Sequence, residues 1–230
     1  MLQIVNNNEV RIAGHEYLIS SIKQQINHNN YFDSPKEEIF FQSDKSKDKN
    51  KINIFSLMDY SQKVKNKYNM TKRLIATLTR QLEYLIKEFH VTFYEYRKEN
   101  VFVFVEKKQD GEQDDDEDDD EDEDVQLYFL YISNDLLPIN NKHKILFSKP
   151  FDRENNLFLS PEIKNIKQLP QEIHYKTVYY SLGTLSLFFY LDANHKTIQE
   201  ALQCIEFTKL YWLIQRCLHS LPERRTILYL

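Results

Sequence analysis

Residues 70–90 read MTKRLIATLTRQLEYLIKEFH, with Leu74, Leu78, Leu82, Leu85 and Phe89 at three- and four-residue spacing. That spacing predicts a helix over Met70–His90 with one apolar stripe, and Thr71 is placed to cap it. Such a helix holds its shape only by laying the stripe on a partner. Tyr175–Leu191, which includes YYSLGTLSLFFYL, is apolar nearly all round, the pattern of a buried helix. Whatever forms here must be built around those two segments.

The remaining segments are shorter. EVRIAG and EYLISSI, around Gly14-His15, read as strands. Polar stretches rich in Asn, Ser, Lys and Asp follow and read as loops. INIFSLMDY reads as a buried strand. Val101–Val105 and Leu127–Ile132 read as two strands of a hairpin around a long solvated insert. Asn140–Pro170 is loop-rich. Thr197–Ser220 reads as one or two amphipathic helices, Pro222 breaks the pattern, and ERRTILYL reads as one last helical turn. The C-terminal two thirds is thus expected to be mainly helical, with one small hairpin. Apolar residues make up 41%, with 15 Tyr and 15 Phe, enough to fill a core.

Charge is concentrated rather than spread. Asp114–Asp124 is eleven consecutive carboxylates, and without it the formal charge changes from −5 to +6. A run of that kind cannot pack, so a solvated, disordered insertion is expected over 110–124. Only three glycines occur, Gly14, Gly111 and Gly183, which argues against a glycine-rich phosphate loop. Cys204 and Cys217 have no metal-ligand spacing and read as two buried, reduced thiols. The first ten residues lack a basic and then apolar leader pattern, so no secretory signal is expected. The longest apolar run, thirteen residues, is short of the roughly 20 that span a bilayer. An intracellular protein, cytoplasmic or nuclear, without membrane partners is expected. Seven scattered His with no HExxH or GxSxG exclude the common hydrolase patterns. The small basic groups TKRLIATLTR and ERR read as helix surface, so nucleic acid is not an expected partner.

Four short motifs then fall in order. FYEYRKENV runs from Phe93 to Val101. SPE is Ser160–Glu162, and YYSLG is Tyr179–Gly183, with PERR ending at Arg225. Together they resemble the C-terminal lobe of a eukaryotic-type protein kinase, and more closely the shortened kinase-like proteins of large DNA viruses. The resemblance covers 70–230. It implies an α+β, protein kinase-like fold with a reduced β-rich N-terminal lobe over 1–69 and a mainly helical C-terminal lobe over 70–230.

Site residues follow from the same resemblance. SPE matches the family's Ala-Pro-Glu, whose Glu pairs with a buried Arg near the domain end. Glu162 and Arg225 are then two halves of one ion pair. YYSLG matches Asp-x-Trp-Ser-x-Gly, with Ser181 and Gly183 retained and Tyr180 in place of Trp. The family Asp, which holds the catalytic loop, falls on Val178, so the loop is expected to be no longer held for chemistry. FYEYRKENV matches His-Arg-Asp-x-Lys-x-x-Asn. Glu95 falls on the catalytic Asp, Arg97 on the Lys, and Asn100 on the metal-holding Asn, while Phe93 replaces His. The Glu carboxylate sits one methylene further out, and a misplacement of about 1 Å can cost on the order of 10²-fold. Asn134 or Asp135 approaches the position of the second metal ligand, without the family's Phe or Gly. Lys23 is the sole candidate for the phosphate-pairing strand Lys.

The resemblance therefore implies a catalytically impaired kinase-like protein, a pseudokinase, that serves as a protein-binding or regulatory scaffold. Its partners would be a kinase, kinase substrates or basic proteins, in a host cell or a virion if the chain is viral. No cofactor is expected, with ATP and Mg bound only if activity survives. Two alternatives stand beside it. One is a divergent ATP-dependent kinase that uses Glu95, Asn100, Asp135 and Lys23. The other, independent of the resemblance, is a chaperone for basic proteins that works through the acidic run.

Overall fold

The computed structural model describes residues 3–6, 9–11, 52–107, 125–131, 133, 135–148, 150, 158–191 and 197–227. They form an α+β arrangement. Lys23, Asn134, Gly14, Gly111 and the acidic run lie outside the described residues. The chain divides into two units, Met1–Ile54 with Phe104–Leu127, and Phe55–Val103 with Tyr128–Leu230. In the first unit, β1 (Gln3–Asn6) and β2 (Glu9–Arg11) pair antiparallel, with Ile4 opposite Val10 and an irregular register before Asn6.

INIFSLMDY does not form one strand. β3 (Ile52–Ser56) ends where α1 (Leu57–Ser61) begins. Ser56 decides this: its Oγ accepts the Asp59 N–H at 3.1 Å and so caps the helix. The long helix, α2, spans Lys67–Phe89, and its cap is Asn66 rather than Thr71. Asn66 Oδ1 accepts the Asn69 N–H at 3.1 Å. Thr71 lies inside the helix, where its hydroxyl donates to the Lys67 carbonyl at 2.7 Å. α2 buries Leu74, Leu78, Leu82 and Leu85 as the stripe requires, together with Ile75 and Gln81, while Phe89 is half-buried. His90 takes a left-handed conformation (φ 54°) and ends the helix.

β4 (Val91–Thr92) follows at once, then a loop, a 3-10 turn at Lys98–Asn100 and β5 (Val101–Lys107). β6 (Val125–Tyr131) lies beside β5 in a three-stranded sheet of order β3-β5-β6. Asn140–Pro170, expected to be loop-rich, holds one strand and a one-turn helix, with two further strands at its borders. β7 (Leu137–Pro138) pairs with β4, and β8 (Lys144–Phe147) pairs antiparallel with β9 (Gln171–His174). β8 alternates Ile145 and Phe147 inward with Leu146 outward, which is strand periodicity in a stretch too short to stand out. A satellite core of Tyr94, Ile145, Phe147, Leu159, Ile163, Ile166 and Ile173 covers that hairpin. Between the strands, Pro161 opens a one-turn helix, α3 (Pro161–Lys164).

α4 (Thr177–Leu191) is the centre of the second unit. It buries ten of its residues and packs against α2, α5 (Ile198–Gln203) and α6 (Lys209–Cys217). Thr197–Ser220 thus holds two helices, capped by Thr197 and Thr208. They part at Phe207, whose φ of 67° no helix residue adopts. Gly183 lies where α4 and α6 close. A Cβ there would stand 3.0 Å from Cys217 Cβ. Only Cys217 is buried, with its thiol pushed up to about 12 by burial, whereas Cys204 is exposed, against the expectation of two buried thiols. After α6, Pro222–Arg224 forms a 3-10 turn, not an α-helical one, and residues 225–227 are irregular. No helix among the described residues is long and apolar enough to cross a membrane.

Candidate functional site

β4 and β7 pair with Val91 opposite Pro138 and Thr92 opposite Leu137. That pairing brings the loop that follows Thr92 beside the residues that precede Leu137. Three rings pack beneath the loop. Phe93, Tyr96 and Tyr131 have mutual centroid distances of 4.6–4.7 Å. All three are buried, so the loop sits on a rigid aromatic floor.

Three hydrogen bonds fix the loop, two of them at its backbone. The Tyr96 N–H donates to Ser181 Oγ on α4 at 2.7 Å. The Tyr96 hydroxyl donates to the Leu78 carbonyl on α2 at 3.2 Å. The Tyr131 hydroxyl donates to the Glu95 carbonyl at 2.8 Å. The loop is therefore held, although Val178 offers no carboxylate to hold it. Ser181, one turn further along the same helix, supplies the acceptor instead. Tyr131 is in turn fixed by Gln81, which is buried on the apolar face of α2. Its amide nitrogen donates to the Tyr131 carbonyl at 2.5 Å, and its oxygen accepts the Tyr131 N–H at 3.1 Å.

Glu95 points into this frame with 3% of its surface exposed. Arg97 lies over it, with Nε and Nη2 both 2.5 Å from Oε1. Nη2 also reaches the Tyr94 hydroxyl at 3.4 Å. Oε2 is buried with no hydrogen-bond partner among the described residues. Burial raises the Glu95 carboxyl above its ordinary value. Arg97 opposes that rise, and the charge of Asp135 adds to it. Burial would lower Arg97, but Glu95 more than offsets it, so the guanidinium stays charged. The arrangement is an ion pair closed at Oε1 by the guanidinium.

The other candidates fall outside this cluster or at its edge. Asp135 is exposed, and its N–H donates to Ser133 Oγ at 3.1 Å. Asn100 ends the 3-10 turn, its N–H bonded to the Arg97 carbonyl at 3.0 Å. No hydrogen bond links Asn100 to Asp135 among the described residues. Nor do the described residues include a group of three or more His, Cys, Asp or Glu suited to a metal ion.

Glu162 and Arg225 meet in a second polar centre. Arg225 Nη1 bonds Glu162 Oε1, and Nη2 bonds Oε2 at 2.9 Å. Nε donates to the His219 carbonyl at 2.9 Å, and the guanidinium stacks 5.1 Å over the Tyr180 ring. Arg225 is fully buried, and Glu162 keeps a fifth of its side chain exposed. Burial pushes the Glu162 carboxyl up, but the bonds and charge of Arg225 outweigh that and hold it below its ordinary value.

Tyr131 and Gln81 belong to the site, though the motif resemblance assigns neither of them a role. The signal for Gln81 was a single amide on the buried face of α2, between Leu78 and Leu85. Comparison with protein-family models, curated proteins and solved structures finds no significant match for this chain.

Proposed function

We propose that this chain is a catalytically impaired protein kinase-like protein, akin to the shortened kinase-like proteins of large DNA viruses, that acts inside the cell as a protein-binding or regulatory scaffold. The observation that carries this reading is the closure of Arg97 over Glu95. In the resemblance, Glu95 stands where the base must face the substrate hydroxyl, and Arg97 where a cation must face phosphate. Here the two charges are spent on each other. Phosphoryl transfer depends almost wholly on positioning and charge stabilisation, so that loss removes most of the rate. The Glu162–Arg225 pair and the central helix α4 maintain a folded body, which is what a scaffold for a kinase, its substrates or basic proteins requires.

A divergent ATP-dependent kinase is the second reading. What favours it is the held loop: Ser181 and Tyr131 keep the Glu95 backbone fixed, and Oε2 lacks a donor among the described residues. Incubation with Mg-ATP carrying a labelled γ-phosphate separates the two. A scaffold transfers no label to itself or to a basic protein substrate. Transfer that Glu95→Gln abolishes would establish the kinase.

A further inference from the structure

We infer that Arg97 is an autoinhibitory latch over Glu95, a local contact that opens and closes without unfolding the loop beneath it. The inference rests on the reading of Glu95 as the site's base and names how that site is kept shut. Three observations carry it. First, the two partners differ in freedom: the Arg97 side chain is 41% exposed, the Glu95 side chain 4%. Arg97 can swing into solvent, where its charge is hydrated, while Glu95 cannot follow. Second, the frame under Glu95 does not depend on Arg97. Its backbone is fixed by the Tyr131 hydroxyl at the Glu95 carbonyl, and the next residue by Ser181. Removing the guanidinium leaves those bonds in place. Third, Oε2 is buried and has no partner among the described residues, although a buried carboxylate oxygen ordinarily has a donor. Arg97 holds the other oxygen, Oε1, so opening the latch frees that oxygen for water or for a donor from a ligand. The other charged and titratable groups that act on the carboxylate are Tyr94 and Asp135, and Tyr131 lies on its main chain. Tyr94 also bonds the carboxylate through its side chain, whereas Asp135 acts on it through charge.

Carboxylate labelling with a water-soluble carbodiimide and an amine, read residue by residue by mass spectrometry, tests the latch without any nucleotide. Its outcome is therefore separate from the kinase question. Glu99, with a side chain 66% exposed, is the open reference, and Glu162, 20% exposed, is the closed one. In the wild type Glu95 should label on the order of tenfold more slowly than Glu99, since labelling waits on local opening. In Arg97→Ala and in Arg97→Gln it should approach the Glu99 rate, with Glu162 unchanged, and Arg97→Lys should restore part of the protection. Three results overturn the latch. Glu95 labels as fast as Glu99 in the wild type. Glu95 stays protected in both variants, which makes burial alone the barrier. Or Glu162 accelerates together with Glu95, which makes Arg97 a support of the fold.

Discussion

Arg225 and Glu162 stand 63 positions apart and are joined by two parallel hydrogen bonds, with the guanidinium fully buried. The pair ties the irregular segment after α6 to the one-turn helix α3. Removing one partner strands the other. Glu162→Ala leaves a buried guanidinium without a counter-charge and should cost about 3–5 kcal/mol. Urea denaturation checks this, and a change under ~1 kcal/mol would mean the pair is not closed in solution.

Two carboxylates should give opposite pH dependences. The folded-state value of Glu162 is depressed, so its stabilisation is full above its unfolded value and is lost as pH falls through the folded one. Glu162→Gln should therefore narrow its deficit as pH drops below ~4.5. The folded-state value of Glu95 is raised, so its favourable contribution exists only at low pH and is lost as pH rises through the folded value. Glu95→Gln should gain on the wild type as pH rises above ~4.5, by up to about 1 kcal/mol at neutral pH. Denaturation midpoints from acid to neutral pH check both signs.

Ser181→Ala removes the acceptor of the Tyr96 N–H and leaves a buried donor unpaired. The expected cost is about 1–3 kcal/mol. Amide hydrogen exchange at Tyr96 should speed up more than exchange in α2, because the bond is local to the loop.

The sequence made the large elements legible and the small ones not. α2 and α4 were visible because an apolar stripe repeats over several turns in one, and apolar residues surround the other. α1 hid inside an apolar run until Ser56 capped it. β8 was missed because so short an alternation is hard to distinguish from a loop. The two ends of the Glu162–Arg225 pair came from motif order, since nothing local to either residue points to the other. The Glu95–Arg97 closure could not be read at all. Their close spacing brings the residues near, but whether the guanidinium faces its neighbour or solvent depends on the aromatic floor beneath the loop.

Gln81→Leu tests that floor from the far side. It removes both bonds to the Tyr131 backbone and leaves two buried polar groups unpaired, for about 2–4 kcal/mol. The Tyr131 hydroxyl should then hold the Glu95 carbonyl less well. In carbodiimide labelling the Glu95 rate should rise even though Arg97 is intact.

Gly183→Ala reverses the usual rule for helices. In an open helix the change gains about 1 kcal/mol. Here the added Cβ meets Cys217 Cβ at 3.0 Å and Leu218 Cδ2 at 3.2 Å, so these neighbours must give by a few tenths of an ångström. The expected result is a loss of about 1–3 kcal/mol. Thermal unfolding decides the sign.

The most direct test of the scaffold role is thermal unfolding of the purified chain with and without Mg-ATP. A ligand stabilises only the state that binds it. With both charges of the Glu95–Arg97 pair committed to each other, millimolar Mg-ATP should leave the unfolding temperature unchanged. A rise of several degrees that disappears without Mg²⁺ would contradict the account and show a nucleotide site still in use.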